Sequence, residues 1–569
     1  MTQAPVPLLR APPFPAADGT VSTSAGLAPV DATGAGIAPT DLFALVRQAR
    51  VGGRFWGDQA NLHSPPGIVV RPRDGAEAKA QLARMSPVER RSALWVASDR
   101  RTAQVLARLV AVDGGAWRGD IDPWSALAGA QGLVAHGDDE WVAIARIAGV
   151  AVRVLSPGRF GAPEDGGARL DALAVDALLS AEWRDPFTGT PSTLEATIEL
   201  LATWRTMLDA NRSIAAVCGM AWWKRAEIRR FLWHPQRRLR LFRRADRALE
   251  AARRKGGALA IWPSRVSPQL IARSREAQVP LVRVEDGFVR SVGLGVHLVP
   301  PSSVVVDASG IHFDPNGPSD LERILAGTEF SPRLLERAGL LRDAIVTAGI
   351  SKYAAGTVEP VPERQPGRRL VLVAGQVEDD MSVLAGGGGL TSGLELLRRV
   401  RDLEPGAEIW FRPHPDVDSG HRKGAVPDAD VLALADRIVR GPGMAALLGV
   451  VDAVHVITSL TGFEALLRGC AVTCHGTPFY AGWGLTRDLG PIPERRGRML
   501  TLDALVAGVL ILYPRYLDPV TNLPCPPEVL ISRMSASDAP NRLHWIAPLR
   551  RWQGRIVSLI PGQATGTRR

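Results

Sequence analysis

The 569-residue sequence contains little cysteine and no long apolar segment. Its four cysteines, Cys218, Cys470, Cys474 and Cys525, are too few and too scattered for a disulfide scaffold. Cys470 and Cys474 have no second pair at the spacing of a zinc site, so we predict buried, reduced thiols. No apolar run reaches the roughly 18 residues that a membrane-spanning helix needs, and the first residues do not resemble a signal peptide. These absences favour a soluble or surface-bound cytoplasmic protein.

Positive charge is what the sequence has in excess, with 68 Lys and Arg against 58 Asp and Glu and a formal net charge of +10. Such an excess favours an anionic partner, such as nucleic acid, phospholipid or an acidic sugar. The charge concentrates between residues 221 and 255, where arginines alternate with Trp222, Trp223 and Trp233. This run predicts a basic, aromatic-rich helix at an anionic membrane surface. Nucleic acid binding and an ordinary solvated helix face are the alternatives.

Composition and pattern divide the chain into five parts, as expected for a length that exceeds one hydrophobic core. Residues 1–50 are rich in Ala, Pro, Gly, Thr and Ser and predict a disordered leader. Residues 51–185, 186–365 and 366–520 have α/β patterns. Residues 521–569 form a basic, aromatic tail that predicts a second membrane-surface element.

The part from 51 to 185 resembles a degenerate copy of a later part of the chain. The segments Leu170–Pro191 and Leu502–Pro524 share Leu-Asp-Ala-Leu, then Asp-Pro-x-Thr, then Pro. Upstream, Gly149–Val154 matches Gly469–Cys474, but in the polar loop that precedes this segment and its helix, acids replace the hydroxyls. Because acids repel phosphate, we predict a nucleotide-domain-like half module without its chemistry. Chance similarity between two short α/β units is the alternative.

Three apolar runs in the last third of the chain each end in a polar loop, and they are Val371–Ala374, Glu408–Phe411 and Val454–Ile457. Strand, polar loop and helix in repetition predict a doubly wound parallel sheet, whose ligands bind at the carboxyl ends of the strands. An earlier α/β unit carries Glu285 and Asp286 at a strand end. The predicted fold class is therefore α/β, with two Rossmann-like domains facing a cleft and a degenerate half module before them.

Six blocks then occur in order, and they are VEDGFVRSVGLG, SVVVDASGIHFDP, ISKY, GQVEDDMSV, RPHPDV and SLTGFEALLRG followed by FYAGWGLT. Over about Ile214 to Thr521 the chain resembles the capsular-polysaccharide β-Kdo glycosyltransferases, the KpsC/KpsS/LipB-like family. The last blocks resemble the second module of KpsC-type proteins. Those proteins carry two full modules, whereas this chain has one intact module and a half module.

The resemblance implies a GT-B-like fold, a CMP-Kdo donor, retention of the β configuration, no metal and no cofactor apart from the donor. It implies a phosphatidylglycerol-type lipid acceptor and growing Kdo chain at the inner-membrane surface. Capsule export proteins are then expected partners, nucleic acid is not, and the protein is expected to be cytoplasmic and peripheral on the inner membrane. A catalytically inactive scaffold of the export machinery is the alternative.

Retention requires two displacements or a front-face route, and two displacements require a carboxylate close to the anomeric carbon. Asp380 is the candidate nucleophile because its position matches the aspartate of the family's Asp-x-Ser block. Asp379 and Glu378 are its competitors. Glu285 is the candidate general base and Asp286 the second, although each could instead hydrogen-bond the backbone in a turn.

The donor phosphate needs cations or N–H donors. His414 stands between two prolines that fix its direction, so we assign it to the leaving phosphate together with Arg412. Gln376, in the same family block as Asp380, is assigned to donor binding.

A second donor-binding group opens the helix after the third apolar run. Ser459, Thr461 and Gly462 lie at its amino end, which carries partial positive charge and suits phosphate. A helix cap without a ligand is the alternative. Glu464, in the first turn, resembles the ribose-binding acid of nucleotide-sugar transferases, and a capping role is its alternative.

Overall fold

The computed structural model describes residues 6–15, 24–27, 38–289, 300–351, 360–418, 420, 422 and 424–536. The chain forms two compact units, which are described separately. The first unit comprises Met1–Arg212 and Leu232–Arg238, and the second comprises Ser213–Phe231 and Leu239–Arg569.

The described part of the first unit contains strands and helices in α/β alternation. Its strands are β1 (Ser24–Leu27), β2 (Ile68–Val70), β3 (Ala93–Val96), β4 (Ala116–Arg118), β5 (Gly132–Ala135), β6 (Ala151–Val154), β7 (Ala181–Arg184) and β8 (Pro191–Ser192). Its helices are α1 (Pro39–Ala49), α2 (Gly75–Ala83), α3 (Pro87–Ser92), α4 (Arg100–Asp113), α5 (Pro123–Leu127), α6 (Trp141–Ala148), α7 (Gly167–Leu179) and α8 (Leu194–Asn211).

The core of the first unit is a five-stranded parallel sheet with the order β4-β3-β2-β5-β6. The three central strands, β2, β3 and β5, are short apolar runs that are mostly buried, as parallel strands covered by helices must be, whereas the edge strands β4 and β6 are partly exposed. Asp74 caps α2 and Asp99 caps α4, so these helices begin where a carboxylate accepts their first free N–H groups. A small antiparallel sheet, β1-β7-β8, completes the unit.

The prediction of a disordered leader is wrong for the described part of residues 1–50. Leu8 and Leu9 are fully buried, and the Phe14 ring lies 5.1 Å from that of Trp204, between centroids. Helix α1 buries Leu42 and two further apolar residues. The Ala/Pro-rich average composition concealed these few apolar anchors, which gain their stability from tertiary burial.

Helix α8 belongs to the first unit, so the long segment of this unit extends to residue 212, whereas the sequence pattern placed a boundary at 185. The helix buries Ile198, Leu201 and Trp204 and packs against α1 and β7.

A buried ion pair supplies a prediction for the stability of the first unit. Asp122 is fully buried, Arg205 is 3% exposed, and Arg205 Nη2 lies 2.5 Å from Asp122 Oδ2. Burial raises the pKa of Asp122, although the Arg205 charge opposes this. Asp122→Ala leaves Arg205 in the core without this partner and should destabilise the unit by about 3 kcal/mol. Hydrogen exchange followed peptide by peptide measures this loss in the first unit alone.

The matched control is Asp171→Ala, which removes the half-exposed partner of Arg146 in the same unit. We expect it to cost less than about 1 kcal/mol, because exposed ion pairs contribute little. Equal effects of the two substitutions would contradict the assignment of Asp122 as the buried anchor.

The second unit contains the remaining described elements. Its strands are β9 (Ile214–Cys218), β10 (Leu241–Phe242), β11 (Ala258–Ile261), β12 (Leu281–Asp286), β13 (Ser303–Asp307), β14 (Leu370–Ala374), β15 (Glu408–Arg412), β16 (Arg437–Ile438), β17 (Ala453–Val456), β18 (Ala471–Cys474), β19 (Arg487–Asp488), β20 (Pro514–Leu517) and β21 (Pro524–Cys525). Its helices are α9 (Arg225–Phe231), α10 (Ala245–Arg254), α11 (Pro268–Glu276), α12 (Asp320–Gly327), α13 (Pro332–Thr347), α14 (Met381–Gly386), α15 (Gly393–Leu403), α16 (Pro415–Asp418), α17 (Asp428–Leu432), α18 (Met444–Leu448), α19 (Leu460–Leu467), α20 (Leu502–Val506) and α21 (Pro527–Ser535).

These strands form two sheets, one in each lobe of the unit. The first lobe has the order β10-β9-β11-β12-β13-β20-β21, parallel from β10 to β12 and antiparallel thereafter. The second lobe has the order β16-β15-β14-β17-β18-β19, and every pair is parallel. The predicted pair of Rossmann-like domains is confirmed.

The chain returns to the first lobe after leaving the second. Helix α20 and a π-helix, Ala507–Leu512, lead into β20, which pairs antiparallel with β13. Residues up to 536 therefore complete the first lobe, whereas the sequence pattern assigned residues up to 520 to the second and residues from 521 to a separate tail. The rest of the predicted basic tail, residues 537–569, lies outside the described residues.

The internal repeat is visible in the topology. The order β4-β3-β2-β5-β6 in the first unit matches the order β16-β15-β14-β17-β18 in the second lobe. The returning strands match as well, because β7–β8 and β20–β21 are both antiparallel pairs. Between them, Asp185 accepts from the N–H groups of Phe187 and Thr188, as Asp518 does from the corresponding groups two and three residues on. The half module therefore has the same strand order as the second lobe, as the predicted repeat requires, and its interpretation as a degenerate copy stays a prediction.

The single basic helix predicted for residues 221–255 is wrong. The run contains a 3-10 helix (Trp222–Lys224), α9, an irregular stretch with Pro235, β10 and α10. Proline cannot donate the N–H that an uninterrupted helix needs there. Trp233 is half-buried, and its ring lies 4.9 Å from that of Phe14, so it does not project as a headgroup anchor. Exposed arginines remain at 229, 237, 238, 243 and 244.

All four cysteines are buried and free, as predicted, and burial raises the pKa of Cys218 to about 11. Within the described ranges, no helix combines the length and the apolar character needed to cross a bilayer.

Candidate functional site

The loop after β14 holds the candidate nucleophile at the carboxyl edge of the second lobe's sheet. Asp380 caps α14, and its Oδ1 accepts from Ser382 N at 2.9 Å and from Ser382 Oγ at 2.8 Å. Within the described part of the chain, Oδ2 receives no hydrogen bond. One carboxylate oxygen is thus fixed by the helix cap, and the other is available for chemistry. The competitor Asp379 is exposed and pairs with Arg422 at 2.8 Å.

The loops after β14 and β17 are joined by two hydrogen bonds between Gln376 and Thr458. Gln376 Nε2 donates to Thr458 Oγ1 at 3.1 Å, and Thr458 N donates to Gln376 Oε1 at 2.8 Å. Thr458 Oγ1 in turn donates to Ser382 Oγ at 3.3 Å. Thr458 and Ser382 were absent from the predicted site, although Thr458 is the first polar residue after its strand. The amide oxygen of Gln376 and one N–H of its amide group thus bind Thr458. The predicted role of Gln376 in donor binding stays a prediction.

The loop after β15 carries the two predicted cations. Arg412 Nη1 donates to the Val439 carbonyl at 2.9 Å, and Gly375 N donates to the Arg412 carbonyl at 2.8 Å, which joins this loop to the one after β14. His414 Nδ1 accepts from Asp416 N at 3.1 Å. The backbone N–H of Asp416 therefore helps to orient the imidazole, and in this arrangement a neutral ring carries its proton on Nε2.

The amino end of α19 is arranged around Ser459. Its Oγ accepts from Thr461 N at 3.2 Å and donates to Thr461 Oγ1 at 3.1 Å. The buried Tyr480 hydroxyl donates to the Ser459 carbonyl from behind the helix. A Cβ at Gly462 would lie 2.2 Å from the Tyr480 oxygen, so Gly462 permits this close approach. Gly462 and the FYAGWG segment therefore have a packing role. Ser459 and Thr461 lie at the amino terminus of the helix, a position that suits an anion.

Glu464 lies one turn further along α19 and is 7% exposed. It lines an apolar pocket together with Phe288, Leu460 and Phe463. Its backbone carbonyl accepts from Arg468 Nη1 at 3.0 Å.

The two candidate bases lie at the end of β12 in the first lobe. Lys224 Nζ lies 2.8 and 2.9 Å from the two carboxylate oxygens of Asp286 and 3.6 Å from the Trp262 ring centroid. This buried cation makes Asp286 a structural ion-pair partner. Glu285 Oε1 accepts from Asp286 N at 3.1 Å.

The lobes of the second unit meet next to these loops. Phe288, two residues beyond β12, stacks against Phe463 and Phe479 with centroid separations of 6.4 and 4.6 Å. Asn316 Nδ2 donates to the Ala385 carbonyl at 3.1 Å, at the end of the helix that Asp380 caps.

A buried ion cluster also holds the lobes together. Glu322 on α12 binds Arg495 Nε and Arg496 Nε at 2.7 Å each, and Arg496 is 1% exposed. Arg496 also donates to the Pro478 and Ala481 carbonyls. The strand ends of the two lobes are therefore held toward each other, as in a cleft.

The family described as capsule polysaccharide biosynthesis protein matches residues 257–354 and 350–516. The capsule polysaccharide modification protein LipA of Neisseria meningitidis serogroup A is 39% identical over 381 residues, which cover 66% of this chain and 53% of LipA. The lipopolysaccharide-processing protein LpsZ of Rhizobium meliloti is 46% identical over 244 residues, 42% of this chain and 55% of LpsZ. The chain spans about half the length of these relatives.

Among solved structures, the β-Kdo 2,4 transferase of Thermosulfurimonas dismutans KpsC is 33% identical, with 56% of this chain and 98% of that chain covered and a TM-score of 0.49. Residues 257–516 of the chain thus match the capsule polysaccharide biosynthesis family, which confirms the resemblance that its motifs indicate.

Proposed function

We propose that the protein is a retaining glycosyltransferase that transfers Kdo from CMP-Kdo to a lipid-linked acceptor in capsule biosynthesis. The observation that supports this best is the Asp380 carboxylate, held by one oxygen at the strand edge of the second lobe. The name of the KpsC structure supports Kdo as the transferred sugar.

In the first step, Asp380 Oδ2 attacks the anomeric carbon of Kdo. The bond from that carbon to the phosphate oxygen breaks, and its electron pair leaves with CMP. A glycosyl ester on Asp380 results, with inverted configuration. His414 Nε2–H, Arg412 and the amino end of α19 stabilise the negative charge on the departing phosphate.

In the second step, an acceptor hydroxyl attacks the same carbon, its proton passes to Glu285, and the ester bond breaks to restore the Asp380 carboxylate. The second inversion gives net retention. Glu285 is preferred to Asp286 because Lys224 holds both oxygens of Asp286. No metal and no cofactor besides the donor is proposed, in keeping with the family resemblance.

Incubation with CMP-Kdo and a Kdo-capped lipid analogue tests the proposal. A glycosyltransferase releases CMP and extends the acceptor by one Kdo, which mass spectrometry detects. An inactive scaffold of the capsule export machinery, the second candidate, does neither. Absence of both products with a folded protein would overturn the proposed activity.

A phosphatidylglycerol-type acceptor and growing Kdo chain place the reaction at the inner-membrane surface, where capsule export proteins would be partners. We propose that exposed arginines bring the protein there, because near an anionic leaflet each contributes about 1 kcal/mol and loses it as salt rises. The protein should bind vesicles that contain phosphatidylglycerol, bind neutral vesicles little, and dissociate at high salt.

Replacement of Arg229, Arg238, Arg243 and Arg244 by Gln should remove vesicle binding and slow transfer to a lipid acceptor, but spare transfer to a soluble one. Vesicle sedimentation and transfer assays measure both effects. The control changes four other exposed arginines to Gln, at positions 84, 91, 100 and 101. If both sets weaken vesicle binding equally, the total charge of the protein is responsible for that binding, rather than the basic segment of residues 221–255. Equal losses on both acceptors would show that the basic segment supports the fold or the site.

A further inference from the structure

A chain of hydrogen-bonded polar side chains links two strand ends of the second lobe and terminates at Asp380. It starts at Gln376 after β14, crosses to Thr458 after β17, and passes through Ser382 in the first turn of α14. Thr458 is 8% exposed, so water competes little for its hydrogen bonds.

The direction of every proton in this chain is fixed by chemistry. The backbone N–H of Thr458 can only donate, so its partner on Gln376 must be the amide oxygen, at 2.8 Å. The Gln376 NH₂ group therefore faces Thr458 Oγ1 and donates to it at 3.1 Å. The Thr458 hydroxyl must then donate onward to Ser382 Oγ, and the Ser382 hydroxyl must donate to the Asp380 carboxylate.

Such a chain strengthens each of its bonds, because every hydroxyl donates and accepts at once. Its last bond and the Ser382 backbone N–H both fall on Oδ1 of Asp380. They fix the rotation about its side chain, which sets the direction of Oδ2. Helix α14 also packs closely against Thr458, since a Cβ added to Gly386 of this helix would lie 3.2 Å from the Thr458 methyl carbon.

We propose that Thr458, oriented by Gln376, is a positioning residue that aims the Asp380 carboxylate through Ser382. This inference rests on the proposed function, because it assigns Thr458 a role in the displacement at Asp380. It also changes the role of Gln376 from donor binding to orientation of Thr458.

Thr458→Val tests the proposal, because valine keeps the size and the backbone N–H but removes the hydroxyl. We expect kcat to fall by about 100-fold, the cost of a small misplacement of a reacting group. The KM for CMP-Kdo and the Kd for CMP should stay within about twofold, a split that loss of folded protein would not produce. Thr458→Ser should restore kcat to near wild type. Thr473→Val, at a buried threonine on the neighbouring strand β18, is the matched control and should leave kcat unchanged.

Ser382→Ala interrupts the same hydrogen-bond chain one step closer to Asp380. It tests the positioning role if Thr458→Val does not fold. The double variant should lose no more kcat than the worse single variant, because both remove one pathway. A folded Thr458→Val or Ser382→Ala protein with more than about a third of wild-type kcat overturns the positioning role alone. Weakened CMP binding with unchanged kcat also overturns it, in favour of donor binding. A wild-type protein that transfers no Kdo overturns the proposed function, and this inference with it.

Discussion

Asp380→Ala should abolish Kdo transfer and leave the affinity for CMP within about twofold of wild type. In the proposed mechanism the carboxylate attacks the sugar and does not hold the nucleotide, so its loss would remove a step of the reaction and no donor contact. Loss of a nucleophile costs several orders of magnitude in rate. The loss of the α14 cap costs only about 1 kcal/mol of stability, which a folded protein tolerates.

Transfer assays with CMP-Kdo and calorimetric titration with CMP measure the two quantities on the same preparation. Asp379→Ala is the matched control, because it removes the adjacent carboxylate, which is exposed and paired with Arg422. It should retain most of the activity. An Asp380→Ala protein with more than about a tenth of wild-type turnover would exclude Asp380 as the nucleophile, and an inactive Asp379→Ala protein would favour its neighbour.

The second large effect is expected on donor binding. Alanine at His414, Ser459 or Glu464 should weaken CMP binding by about 1–3 kcal/mol each, the worth of a charge-assisted hydrogen bond. The three residues lie on loops or helix termini at the carboxyl edge of the second lobe's sheet, where ligands of such sheets bind. Calorimetric titration with CMP gives each affinity directly.

Ser331→Ala provides the control for Ser459→Ala. Ser331 caps α13 through the Leu334 N–H, so its loss removes a comparable cap from a different helix. We expect no change in CMP affinity from it. Unchanged affinity in all three site variants would place the donor elsewhere, and a loss confined to Glu464 would favour the apolar pocket that it lines.

The repeated α/β pattern sufficed to predict the two Rossmann-like lobes and the half module, because strand and helix periodicities are local properties. The path of the chain after α20 was not predictable in this way. Strand β20 pairs with β13, and nothing in either short segment specifies a partner so distant in sequence. The prediction of a single basic helix over residues 221–255 was wrong for a related reason, because the position of Trp233 depends on its contact with Phe14.

The candidate site likewise contains residues that the sequence could predict and residues that it could not. The location of the candidate site at strand ends follows from the order of apolar and polar residues, which led to His414 and Ser459. Asp380 was proposed from the family resemblance. Thr458 and Ser382 could not be named from the sequence, because their importance depends on which groups the fold brings within hydrogen-bonding distance. The sequence offered Glu285 first and Asp286 second, and the ion pair between Asp286 and the buried Lys224 favours the same order.

The late return of the chain to the first lobe has a consequence for synthesis on the ribosome. Strands β9 to β13 emerge early, but β20 and β21, which complete their sheet, emerge only after the whole second lobe has been made. During that interval β13 presents an unpaired edge, and such edges favour association with other chains. The half module faces no such delay, since its own returning strands β7 and β8 follow shortly after its central sheet. A nascent chain arrested in the second lobe is therefore expected to carry a folded first unit and an incomplete, aggregation-prone second unit.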